Sequence, residues 1–216
     1  EAKKKAEAAE AKKKFEAAKA KIDYEKAKTA YDKGDYEKAF REFTILANKG
    51  HAEAQKYLGN MYEYGDGVTE NVKLAVSWYR KSANQGHAEA QLFLGYMYAN
   101  GKGVTENDKL AVSWYRKAAN QGNAGGQNNL GYMYDHGEGV TENDKLAVSW
   151  YRKAADQGHA KAQTNLGRMY DLGRGVTKNY KLAVSWYRKA ANQGRATAQN
   201  NLGVKYENGE GVTKNY

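Results

Sequence analysis

The chain has 216 residues, a formal net charge of +10, 41% hydrophobic residues, 23 glycines, no proline and no cysteine. The lack of cysteine excludes disulfides, zinc–thiolate sites and thiol catalysis, and no apolar run approaches the roughly 18 residues of a membrane span. The basic balance raises nucleic acid or an anionic surface as partners, so the address of the positive charge has to be read segment by segment.

Residues 1–21 hold almost only Glu, Ala and Lys, with Phe15 the one large apolar side chain. These are strong helix formers, and Glu10 to Lys14 is a favourable i,i+4 pair, so an exposed leading helix continuing towards Lys33 is predicted. A chain that opens on Glu1 is expected to be a processed form or a fragment. Phe15 and Ile22 are seven apart, too few positions for a coiled-coil seam. Residues 22–50 read as a capping repeat of the tetratricopeptide kind. A turn at Gly34-Asp35 separates two helical patterns, and the second of these is a diverged copy of the helices that follow.

Regular units begin at residue 51. KLAVSWYRKSA at 73–83 returns as KLAVSWYRKAA at 109–119, 145–155 and 181–191, and Trp78, Trp114, Trp150 and Trp186 keep a period of 36. A fixed period of this length marks a stacked array of small units. In the first unit Ala54, Leu58, Met61 and Tyr62 share one helical face. Gly65 is placed to stop that helix in a left-handed conformation, Val68 to pin the loop, and Thr69 or Asn71 to cap the next helix. Ala75, Trp78 and Ser82 or Ala83 are the expected buried stripe of the second helix. Gly59 lies beside it, where a missing side chain lets the two helices approach, so Gly59→Leu should be costly through overpacking. The last unit stops at Tyr216, where its second helix would begin, leaving Leu202 and Tyr206 partly uncovered.

The pattern AxAQxxLGxMYxxGxGVTxNxxLAVSWYRKAAxQG resembles the Sel-one-like repeat (SLR) family, relatives of the tetratricopeptide repeats. It stands here as AEAQKYLGNMYEYGDGVTENVKLAVSWYRKSANQG at 52–86 and covers residues 51–216. The resemblance implies an all-α, right-handed solenoid of antiparallel helix pairs. It also implies a protein-interaction scaffold, bacterial and exported, periplasmic or membrane-associated. One cysteine-rich branch of that family is linked to β-lactams; this chain has no cysteine, so that role is not carried over.

Comparison of the copies separates a constant scaffold from variable positions. Variation in the first helix falls at residues 53, 56, 60, 63 and 64 and their equivalents, on one face opposite the buried stripe. The resemblance makes that face the concave groove. The expected partner-binding residues are Lys56, Asn60, Tyr64, Leu92, Tyr96, Asn100, Asn128, Tyr132, His136, Thr164, Arg168 and Leu172, with Tyr64, Tyr96, Tyr132 and Arg168 as anchors, since Tyr and Arg are favoured at binding hot spots. The positive charge falls elsewhere: Lys73, Arg80 and Lys81 and their three sets of equivalents are expected on the outer face. Without interleaved exposed aromatics, that ridge reads as a solvated surface rather than a nucleic-acid site.

Catalytic and metal chemistry find no foothold in the residues. His51, His87 and His159 sit one or more whole units apart and read as helix-start residues, not as ligands of one metal. The GxG loops follow helices and lack the Gly-Lys-Ser/Thr ending of phosphate loops, and Ser77 and its equivalents have no activating base. The expectation is a non-enzymatic adaptor without cofactor or metal that binds another protein or peptide. A spacer that self-associates through the leading helix and the truncated last unit is the alternative.

Overall fold

The computed structural model describes residues 1–214; the expected open end at Tyr216 lies outside them. Among the described residues there are eleven α-helices and no strand. They are α1 (Ala2–Asp32), α2 (Tyr36–Asn48), α3 (Ala52–Tyr64), α4 (Val72–Asn84), α5 (Ala88–Ala99), α6 (Asp108–Asn120), α7 (Ala124–His136), α8 (Asp144–Asp156), α9 (Ala160–Leu172), α10 (Tyr180–Ala191) and α11 (Ala196–Asn208). The fold class is an α-solenoid, in which each 36-residue repeat is one helix pair. The chain divides into two compact units, one of Glu1–Ala90 with Lys102–Val104, the other of Gln91–Gly101 with Thr105–Tyr216.

In the first unit α1 is one unbroken helix, so the expected border between residues 21 and 22 falls inside it. Its first turns are exposed, with Phe15 70% exposed, while Tyr24, Ala27 and Ala30 are buried with Phe43, Leu46, Leu58 and Met61 in a single core. Phe43 and Tyr57 stack at 4.7 Å within that core. α2 is capped by Asp35, and α3 packs against α4.

The second unit repeats one packing scheme. α7 lies against α8 and α9 against α10, and α8 and α10 are in turn covered by α9 and α11. Local causes are the same each time. Asn107, Asn143 and Asn179 cap α6, α8 and α10 by accepting the backbone N–H three residues on, at 2.9–3.0 Å, as Asn71 does for α4. A left-handed glycine ends each first helix, for example Gly137 at φ 70 and Gly173 at φ 74. Gln121 donates to Gln91, Gln157 to Gln127 and Gln193 to Gln163 at 2.7–2.9 Å, which ties the end of each second helix to its first. Val140 and Val176 in the loops pack on the cores.

The centre of each pair differs from the expected stripe in one respect. Ala75, Ser82 and Ala83 are buried, but Trp78 is half-buried, and the fully enclosed ring is Tyr79. A Cβ at Gly59 would stand 2.6 Å from that ring; at Gly95, Gly131 and Gly167 it would stand 2.6–2.8 Å from Tyr115, Tyr151 and Tyr187. The glycine therefore admits the residue after the tryptophan. Tyrosine wins the buried place because its hydroxyl can cross the pair and find polar groups on the first helix: Tyr79 donates to Glu63 and meets Asn60, both at 2.7 Å. Leu202 and Tyr206 in α11 are half-buried.

Candidate protein-interaction face

The variable residues of the first helices separate into two sets. Those equivalent to Lys56 lie in the seams between successive first helices. Lys56 is 6% exposed, with its ammonium 3.2 Å from Glu89 and over the Tyr57 ring. Asn128 is 1% exposed; it donates to Asn129 and accepts from Asn165 of the next repeat at 3.1 Å. Thr164 is buried and donates to the Ala160 carbonyl. Leu92 is half-buried, its side chain over Gly125. Polar side chains can be buried here because each finds a partner, Lys56 and Asn128 across the seam and Thr164 in its own helix.

Arg168 also belongs to a seam. It hydrogen-bonds the carboxylate of Asp135, whose side chain is fully buried and accepts a 3.1 Å bond from Tyr151. Arg174 brings a second guanidinium to the other Asp135 oxygen at 3.1 Å and donates to Asp144 at 2.6 Å and Glu142 at 2.9 Å. One repeat on, Lys205 stands where the others have methionine, 2.5 Å from Asp171 and 2.6 Å from Glu210. Burial alone would lower the Lys205 pKa, but the hydrogen bonds to Asp171 and Glu210 outweigh it and raise the pKa, while the same bond holds Glu210 below the usual carboxylate range.

The second set is exposed. Tyr64 in the first unit is 67% exposed; in the second unit Tyr96, Tyr132 and Leu172 are 38%, 37% and 56% exposed. His136 stacks on Tyr132 with centroids 4.0 Å apart and donates to its carbonyl, which holds the tyrosine ring in place. Asn100 donates to the Tyr96 carbonyl. Asn60 is half-buried at the Tyr79 hydroxyl. Between Tyr96 and Tyr132 is a recess of about 270 Å³, which Tyr115, Asn129, Glu138 and Lys161 also line. Of these, Lys161 is the equivalent of residue 53 on the variable face, while Tyr115, Asn129 and Glu138 were not singled out from the sequence. The available signal was Ala99, an alanine where the equivalent residues are Glu63, Asp135, Asp171 and Glu207.

The positive ridge is exposed on the second helices, as their pattern predicts, and the aromatic rings beside it are half-buried. Lys81, Lys117, Lys153 and Lys189 each hold their ammonium 3.7–4.1 Å over the ring of Trp78, Trp114, Trp150 and Trp186. Arg116 and Arg188 donate to Tyr134 and Tyr206 at 3.0 and 2.9 Å, and Arg152 to Tyr170. The constant cations thus cover rings rather than leave them open for stacking. His51, His87 and His159 accept the backbone N–H of Ala54, Ala90 and Ala162 at 3.2–3.3 Å, as helix caps. Among the described residues, no group of three His, Cys, Asp or Glu could hold a metal ion, and no helix is long and apolar enough to cross a membrane.

Antiparallel helix pairs repeated every 36 residues on recurring Gly, Tyr, Asn and Gln contacts define an α-solenoid of the tetratricopeptide-like class. The Sel1 repeat family model matches residues 52–87, 88–123, 124–159, 160–194 and 196–216, and the chain belongs to the Sel1 repeat family. It is similar to a protective antigen present in uropathogenic Escherichia coli strains that displays an SLR fold, with a TM-score of 0.85 and 38% identity over 95% of this chain and 45% of that one. A Sel1 repeat protein from Oxalobacter formigenes is 37% identical with a TM-score of 0.78, over 83% of this chain and 72% of that one. An exopolysaccharide production negative regulator of Rhizobium meliloti (strain 1021) is 40% identical over 55 residues, 26% of this chain. The chain spans about 45% of the antigen and about 20% of the regulator. Sel1 repeat proteins generally mediate protein–protein interactions and are typically non-catalytic scaffolds.

Proposed function

We propose that this chain is a non-enzymatic adaptor that holds an extended segment of a partner protein along the exposed face of its first helices. The observation that carries the reading is the pairing of the exposed Tyr96 and Tyr132 on either side of a recess. Amphipathic rings supply contact area at low entropy cost, and Asn100 and Asn129 supply amides suited to a peptide backbone. In this reading Asn100, His136 and Leu172 extend the contact surface of the second unit, and Tyr64 is an exposed contact residue of the first. Lys56, Leu92, Asn128, Thr164 and Arg168 serve by fixing the spacing of the first helices, and α1 with α2 acts as the N-terminal capping pair. An exported location belongs to the same proposal; it rests on the family resemblance, and fractionation of the source cell tests it.

The binding experiment is selection of a phage-displayed random 12-residue library on the immobilised chain. Tyr96→Ala and Tyr132→Ala, which keep the helical signal and melting temperature, should each weaken the selected peptides roughly tenfold or more, as interface anchors do. Selection that yields nothing dependent on either ring would refute the groove reading.

A further inference from the structure

The central tyrosines correspond residue for residue, and three of the four meet a carboxylate of their own chain. Tyr79 donates to Glu63 at 2.7 Å, Tyr151 to Asp135 at 3.1 Å and Tyr187 to Asp171 at 3.5 Å. Each acid stands 16 residues before its tyrosine; the residue 16 before Tyr115 is Ala99. Where that side chain is missing, the second unit has its recess, and Ala99 lines it together with Tyr115.

We propose that this recess is a carboxylate pocket: an aspartate or glutamate side chain of the bound segment enters between Tyr96 and Tyr132 and stands where Glu63, Asp135 and Asp171 stand in the other repeats. The inference rests on the groove reading above. Three kinds of donor serve it. Tyr115 is 3% exposed, and burial pushes its ionisation well above the usual phenol range, so its hydroxyl keeps its proton at neutral pH. Asn129, which bonds that hydroxyl, and Asn100 contribute amides, and Lys161, reaching in from α9, contributes a cation. A charged acceptor makes such bonds stronger than neutral ones.

Glu138 is the one like charge on the lining. It is held against Tyr132, whose phenol is pushed up first by burial and then by that carboxylate. Lys161 offsets it in formal charge, so the entering carboxylate is held by directed donors rather than by a net field. The volume, about 270 Å³, sits just below the roughly 300 Å³ at which clefts begin to enclose small-molecule ligands. A side chain fits this space better than a cofactor does.

Ala99→Asp tests the pocket, because it places the chain's own carboxylate where three other repeats already hold one, two of them as aspartate. Peptides selected on the wild-type chain from the random 12-residue library should share an acidic residue at one fixed position. A synthetic peptide with that residue changed to Asn or Gln should bind roughly tenfold more weakly or worse, on the scale of a lost charge-assisted bond. Ala99→Asp should lose the peptide while keeping helicity and melting temperature, and Lys161→Ala should weaken it. If Ala99→Asp unfolds, Lys161→Ala and the neutral peptide carry the test. Selected peptides with no fixed acid, or peptides that bind Ala99→Asp as tightly as wild type, overturn the pocket and leave the groove standing if Tyr132→Ala still releases them. Peptides indifferent to Tyr132→Ala overturn the groove, and the pocket with it.

Discussion

Gly167→Ala sets two effects of opposite sign against each other, and the structure decides between them. In the interior of a helix such as α9, glycine to alanine ordinarily adds about 0.8–1 kcal/mol of stability. Here the new methyl would sit 2.7 Å from two ring carbons of Tyr187 and 3.3 Å from the Ala183 carbonyl oxygen. Tyr187 is 1% exposed, and its ring cannot swing aside as a flexible chain end would. Overpacking of this kind costs roughly 1–3 kcal/mol and can exceed that; with two ring atoms inside contact distance the cost belongs near the top of the range. The net expectation is a loss of about 1–2 kcal/mol. Gly203→Ala in α11 is the matched control, since nothing lies within 4 Å of a Cβ there; it should be neutral or stabilising by up to about 1 kcal/mol. Urea unfolding followed by circular dichroism measures both. If Gly167→Ala proves as stable as Gly203→Ala, close approach through glycine is not what holds the pair together.

Asp135→Ala removes the fully buried carboxylate that Arg168, Arg174 and Tyr151 share. Breaking a buried pair costs about 3–5 kcal/mol, and because both guanidiniums reach solvent the expected loss is nearer 2–3 kcal/mol in the urea midpoint analysis. The histidine caps make stability depend on pH. Burial first, then Lys56 for His87 and Lys161 with Arg195 for His159, lowers both pKa values below the ordinary histidine value of 6.5. The unfolded chain therefore takes up protons before the folded one. Stability should be fully present above about pH 6.5 and fall as pH drops through the window beneath it, and His159→Asn, which copies the cap at Asn123, should flatten that fall in urea midpoints between pH 5 and 8. Asn143→Ala should cost about 1 kcal/mol through loss of the α8 cap, measured the same way.

Periodicity carried the helix pairs, the glycine stops and the approach at Gly59, because each depends on residues close in sequence or on strict repetition; it left the cap open between Thr69 and Asn71, and the structure has Asn71. It did not tell Trp78 from Tyr79 as the enclosed ring. Both face inward to a degree, and the choice is made by Glu63 and Asn60 across the pair. The proposed binding face was only partly legible for a related reason. Helical spacing shows which face turns away from the helix's own partner, but not what the next repeat lays over it. Lys56, Asn128 and Thr164 look like surface residues and are buried by that neighbour. The link from Asp135 to Arg168 and Arg174 spans 33 and 39 residues with no shared pattern, and nothing in a single strand of text ties them. Ala99 was visible as an odd letter in a column of acids, yet its meaning depended on knowing where Tyr115 points.

The two kinds of corner in the second unit have opposite tolerances. At the short turns, Gly122, Gly158 and Gly194 have open space around them, whereas in the long loops Gly139, Gly175 and Gly211 press to within 2.4–2.6 Å of the preceding repeat's backbone, measured from a Cβ built on each. Extra residues at a short turn can bulge outward and leave the stack undisturbed; the same residues in a long loop would push one repeat off another. Such a molecule can acquire new appendages along one margin only, and a tag, a crosslinker or a grafted loop belongs there.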